Sequence, residues 1–166
     1  MPGGAPNPAA AYTLAPFSRE EHLADNGPVN ATTAGWVGDI QTLTLENTTF
    51  RTVLYTAANL QLTVMRLATG EEVGVEMHDH LDQFIRVESG SARVTLGPSA
   101  TEVEVAHDIA DDWAIIIPGG TWHNVINTGM DELRFYSVYA PAEHPDGAVH
   151  RTKADAEAAD PHRPDR

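Results

Sequence analysis

From Trp36 to Tyr139 the chain is built of short apolar or alternating runs, each about five residues long, separated by Gly, Pro and Asp turns. Residues 60–67 alternate, with Leu60, Leu62 and Val64 on one parity. Ile40, Thr42 and Thr44 alternate with Gln41, Leu43 and Leu45, and residues 49–56 are rich in β-branched side chains. The pattern predicts further strands over 78–80, 83–87, 113–117, 123–127 and 133–139. It also predicts a hairpin of 92–96 with 102–106 around Gly97-Pro98-Ser99. No helix is expected between Trp36 and Tyr139, so the class is all-β, an antiparallel sandwich or barrel.

The flanks differ in texture. Four prolines fall in the first sixteen positions, and regular structure there is limited to one helical turn capped by Ser18 and Glu21. Residues 152–159 read as a short helix with Thr152 as N-cap, stopped by Pro161, and the last residues are expected to be disordered. The chain thus divides into an arm over 1–35, a β-barrel over 36–145 and a tail with a short helix over 146–166.

Composition narrows the chemistry. The 166 residues suit one domain, and a net charge of −14, from 10 basic and 24 acidic residues, disfavours a nucleic-acid partner. There is no cysteine, which excludes disulfides, thiolate metal sites and thiol catalysis. No apolar run approaches the roughly 18 residues of a membrane span, and residues 1–8 lack the features of a secretion signal, so a cytoplasmic location and no membrane partner are expected.

Candidate chemistry concentrates in Met77-His78-Asp79-His80-Leu81-Asp82-Gln83-Phe84. In a strand, His78 and His80 would share a face, with Asp79 pointing the other way. Neutral imidazoles held together are a start on a transition-metal site, and Gln83 adds a carbonyl donor. A third imidazole, His123, follows the corner Pro118-Gly119-Gly120.

With both stretches in view, the chain resembles a small single-domain cupin of the bacterial type. His78, His80 and Gly90 match the first cupin motif, and Gln83 stands where that motif has Glu. Pro118, Gly120, His123 and Asn127 match the second. Glu72 and Asp112 occupy the leading-glycine places, and Asp tolerates the left-handed backbone that glycine favours. The resemblance implies an antiparallel β-barrel of the jelly-roll kind (a double-stranded β-helix). It further implies one divalent transition metal per chain, Fe(II) by preference with Zn, Ni or Mn as alternatives, held by His78, His80 and His123 with Gln83 nearby or ligating.

The leading reading is a metal-dependent enzyme acting on a small organic molecule by a dioxygenase-like oxidation. The alternatives are a Zn- or Ni-dependent isomerase or lyase, and a non-catalytic small-molecule-binding cupin. Phe84, Ile85, Trp122, Val125, Phe135 and Tyr139 are the candidate pocket residues, though aromatics on strands are more often core. Arg66, Arg86 and Arg134 read as a solvated strand face. Glu76 is noted only as a proton-transfer candidate, and His144 and His150 belong to the family-like ending. A homodimer is expected, with the segment from Trp36 to Thr56 pairing across a two-fold axis.

Overall fold

A computed structural model describes residues 35–159. The expected N-terminal arm, the capped turn at Ser18 and the final residues lie outside the described part. Nine strands form two antiparallel sheets. The larger has the order β6-β3-β8-β2-β1-β9, comprising β6 (Ala114–Ile117), β3 (Asp82–Ser89), β8 (Leu133–Ala140), β2 (Gln61–Leu67), β1 (Arg51–Thr56) and β9 (Val149–His150). The smaller is β5 (Val105–Ala110), β4 (Ser91–Gly97) and β7 (Trp122–Asn127). Among the described residues the regular structure is mainly strand, as the periodicity predicts.

The facing sheets close over Phe50, Met65, Leu67, Ile85, Val87, Val94, Ile115, Ile117, Val125, Leu133 and Phe135, all buried. Each such side chain contributes about 1.5–3 kcal/mol by leaving water. Register sets out the inner face of the large sheet in rows. Met65, Phe135 and Val87 form an apolar row; Thr63, Ser137 and Ile85 form a mixed one; Gln61, Tyr139, Gln83 and Ile117 form a largely polar one. Polarity therefore rises toward one end of the barrel, where the site lies. On β2 it is the parity of Gln61, Thr63 and Met65 that faces inward, while Leu60 is exposed.

Four expectations change. Residues 40–46, read as strand, form helix α1 (Ile40–Glu46), N-capped by Asp39, whose Oδ1 accepts from Thr42 N–H at 3.1 Å. Two threonines in seven residues disfavour a helix, but this cap and the burial of Thr44 outweigh that propensity. Residues 77–80, also read as strand, are irregular. The second hairpin arm begins at Val105 rather than 102, after a turn in which Ser99 bridges Glu102. The segment 36–56, expected to be strand-rich throughout, carries α1 in part, and its strand β1 pairs with β2 along one side and, through Arg51 and Thr52, with β9 on the other.

The tail is built into the fold. Strand β9 extends the large sheet, and helix α2 (Lys153–Ala159) buries Ala156 in the core. Thr152 caps α2 reciprocally: its Oγ1 accepts from Asp155 N–H at 3.2 Å, and its own N–H donates to Asp155 Oδ2 at 2.9 Å. The glycine substitute in the second motif behaves as expected, with Asp112 at φ +67°. Gly90 turns at φ +96°, and a Cβ there would lie 2.8 Å from Glu132 O.

Candidate metal centre

Three chain segments converge at the polar end. Residues 72–76 run antiparallel beside β7 without forming a full strand, and Glu76 is bridged to His123 by reciprocal backbone hydrogen bonds of 3.0 and 2.9 Å. This register places the two side chains side by side. Asn124, next on β7, fixes the approach by accepting from Gly74 N–H at 3.0 Å and donating to Glu72 at 2.8 Å. Asn127 holds the far end of β7, donating to the carbonyls of Leu67, Ala68 and Asp131.

The corner at Pro118-Gly119-Gly120 locks onto the histidine loop. Gly120, at φ +81°, donates its N–H to His78 O at 2.7 Å, and Gly119 N–H donates to Asp82 Oδ1 at 2.9 Å. The two motif segments are thereby bonded to each other, and the rings of His78 and His123 sit 5.5 Å apart.

Glu76, His78 and His123 offer ligand atoms that all lie within 4.8 Å of one another. His78 Nε2 is 3.7 Å and His123 Nε2 is 3.5 Å from Glu76 Oε1. Both Nε2 atoms are buried with no hydrogen-bond partner. The other nitrogen of each ring is engaged: His123 Nδ1 lies 2.9 Å from Thr121 O, and His78 Nδ1 lies 3.2 Å from Glu143 Oε1. Since a carbonyl can only accept, His123 carries its proton on Nδ1 and presents a lone pair at Nε2. Two buried imidazole Nε2 atoms beside a carboxylate, without hydrogen-bond partners, are unfavourable unless a proton or a metal cation joins them, and the donor set suits a divalent transition metal.

Electrostatics point the same way. Glu76 is buried, which opposes ionisation, but the imidazoles of His123 and His78 beside it outweigh burial and hold its carboxyl well below the usual range. Burial lowers the affinity of His78 for a proton, yet Glu143 and Glu76 together raise it to about 9. The centre is a place where positive charge is stabilised.

The expected ligands separate here. His78 and His123 meet. His80 is not among the residues whose ligand atoms cluster with Glu76: its side chain is 60% exposed, and its Nδ1 lies 2.8 Å from Asp79 Oδ1. The irregular backbone at 77–80 removes the alternation that would have turned both rings inward. His80 stays at the rim, with Nε2 3.8 Å from Glu143 Oε2. Gln83 is buried in the polar row beside Tyr139, with Nε2 3.5 Å from Ser137 Oγ and Oε1 lacking a partner. Glu76, read from the sequence only as a proton-transfer candidate, is the carboxylate that could hold a metal with His78 and His123; the signal for it is the spacing Glu76-Met77-His78, a same-face pair in extended chain.

Residues 63–139 match the Cupin domain family. The chain is 47% identical over 138 residues to YrkC of Bacillus subtilis, an alignment that covers 83% of this chain and 72% of the relative. The chain belongs to the cupin family. It is also 36% identical over 115 residues to L612 of Acanthamoeba polyphaga mimivirus, covering 69% and 70% of the two chains. The crystal structure of BH2720 from Bacillus halodurans superposes with a TM-score of 0.76 at 46% identity, covering 79% of this chain and 99% of that one. TT1209 from Thermus thermophilus, 20% identical with a TM-score of 0.54 over 63% and 96% of the chains, shares the fold.

In this cupin the centre opens into a cavity of about 220 Å³, lined by Arg51, Glu76, His78, Glu143, His144, Pro145, His150, Ala156 and Ala159. The six residues expected to form the pocket do not line it. Ile85, Val125 and Phe135 belong to the apolar core, and Phe84 packs against Tyr136 with ring centres 6.1 Å apart. Trp122 is half-buried. Tyr139 comes nearest, fully buried with its ring 5.9 Å from that of His78 and 5.0 Å from that of His144; burial keeps its hydroxyl protonated well above the usual range. The cavity wall comes instead from the chain ending, which Gln61 positions. Its Oε1 accepts from His144 N–H at 2.9 Å and Glu143 N–H at 3.3 Å, and its Nε2 donates to His144 O at 2.7 Å.

Arg66 and Arg134 both engage Glu132, and Arg86 pairs with Glu88 and Asp112, so these three lie on the outer face as expected.

Proposed function

We propose that this cupin is a metal-dependent oxidoreductase acting on a small organic molecule, with Glu76, His78 and His123 holding one divalent transition metal. The observation that carries the reading is the pair of buried, partnerless Nε2 atoms turned toward one carboxylate. Two imidazoles and one carboxylate are the donor types of non-haem Fe(II) oxygenases, so iron is favoured and a dioxygenase-like oxidation is the concrete form of the proposal. Gln83 Oε1, buried and unpaired, is the candidate for an additional neutral donor. A metal bound there supplies a Lewis acid and open positions for substrate and O2.

The protein's own residues have separate tasks. Glu143 accepts from His78 Nδ1, which fixes the ring and keeps Nε2 aimed inward. Gln61 holds Glu143 in that position. The apolar core beneath the polar row keeps bulk water from the inner side of the site.

A second reading, Lewis-acid isomerase or lyase chemistry with Zn or Ni, is supported by Glu143 itself. It is a carboxylate on the cavity wall, placed to take a proton from a ligand. The two are separated by loading the protein anaerobically with Fe(II) or with Zn(II) and following O2 consumption over a panel of diketones and catechols. Oxygen uptake by the iron form alone supports oxidation. Substrate turnover by both forms without oxygen uptake would replace it with the second reading.

A further inference from the structure

The same cavity holds a second polar group that the metal centre does not use. Arg51 is inward-facing on β1 and 6% exposed, with its guanidinium carbon 5.6 Å from the centre of the Phe50 ring. Its Nε is buried with no hydrogen-bond partner, and it takes part in no ion pair among the described residues. Register places His150 of β9 directly opposite Arg51. His150 Nδ1 and His144 Nε2 are likewise buried without partners, and all three residues line the cavity. A buried guanidinium with no carboxylate is costly, and two imidazoles with unpaired nitrogens beside it add to that cost.

We propose that Arg51, with His144 and His150, forms an anion subsite that binds the carboxylate of a small organic substrate while the reacting part of that substrate faces Glu76, His78 and His123. The proposal rests on the metal-centre reading for the second half of that statement only. Arg51 supplies the fixed charge and a planar fork matched to a carboxylate. The imidazoles supply neutral donors that shape the subsite. Charge balance agrees: Glu76, Glu143, Arg51 and one divalent cation leave a single net positive charge in the cavity, which a monoanion neutralises. The cavity of about 220 Å³ lies below the roughly 300–1,000 Å³ of pockets for drug-sized ligands, so the ligand is a small acid.

The probes are acetate and its uncharged isostere acetamide, titrated at neutral pH into zinc-loaded and metal-free protein and followed by calorimetry and by the ring-proton NMR signals of His144 and His150. In metal-free protein, where only the chain's own groups remain, acetate binds at least fivefold more tightly than acetamide and shifts both rings. In zinc-loaded protein, Arg51→Met weakens acetate at least tenfold with zinc stoichiometry unchanged, and Arg51→Lys recovers part of the loss. Arg51→Gln replaces Arg51→Met if the latter does not fold. Equal binding of acetate and acetamide by metal-free protein, or unchanged acetate affinity in the folded Arg51 variant, overturns the subsite. A protein that takes up no zinc yet still prefers acetate through Arg51 keeps the subsite and refutes the metal centre.

Discussion

Two sets of histidines around one cavity are treated in opposite ways by their neighbours. His78, between Glu143 and Glu76, is held protonated up to about 9. His144, buried and close to Arg51, is pushed down to about 3, and His150 is also lowered by burial and Arg51. One set attracts a cation and the other repels it. The same residue type therefore serves two purposes within one cavity, and its neighbours, rather than its presence in a motif, decide which.

The largest expected effect tests the cation-attracting set. His123→Ala removes one of the two buried Nε2 atoms and lowers metal affinity by about 100-fold or more, since even groups that only orient a ligand cost 10–100-fold. Equilibrium competition with a chelator measures it, and an unchanged affinity would remove His123 from the centre. Next is Gln61→Ala, which strands the backbone N–H groups of Glu143 and His144 and opens a buried space. It is expected to destabilise the protein by about 2–4 kcal/mol. Chemical denaturation reads this directly, and a loss under 0.5 kcal/mol would show that the chain ending is held by other contacts.

The contrast between the two sets also predicts two pH limits for metal-free protein. His78 has a folded value raised from 6.5 to about 9, so its contribution is full below 6.5 and lost as pH rises through 9. His144 has a folded value lowered from 6.5 to about 3, so its contribution is present above 6.5 and lost as pH falls toward 3. Thermal unfolding midpoints should peak near pH 6.5 and decline on both sides; a midpoint that climbs steadily from pH 6.5 to 9 would contradict the placement of His78. Because a metal displaces the His78 proton, its apparent affinity should rise about tenfold per pH unit up to about 9. The smallest effect is expected from His80→Ala. With its ring at the rim and bonded to Asp79, the loss of metal affinity is about tenfold or less, whereas a loss equal to that of His123→Ala would place His80 on the metal in preference to Glu76.

Much of this was legible in the chain. The turn-punctuated strands and the matches at Gly90, Pro118, Gly120, His123 and Asn127 depend on local sequence, and each has a local physical cause in the fold. Asp112 took the left-handed conformation expected of a glycine substitute. What escaped depends on register between distant segments. Glu76 becomes a partner of His123 only through the bridge between residues 72–76 and β7. Arg51 meets His150 only because β1 pairs with β9. Helix α1 escaped for a different reason: its alternating threonines suit a strand, and the Asp39 cap and tertiary burial decided otherwise. Of the candidate pocket residues, Ile85, Val125 and Phe135 belong to the core, and the cavity beside Glu76 and His78 is built largely from residues 143–159.

The most direct test of the metal centre is elemental analysis of untagged protein after anaerobic reconstitution with Fe(II), set beside Glu76→Gln treated identically. The account predicts about one iron per wild-type chain and a large loss in the variant. No metal in the wild type would contradict the centre itself, and full occupancy in Glu76→Gln would contradict the carboxylate's place in it.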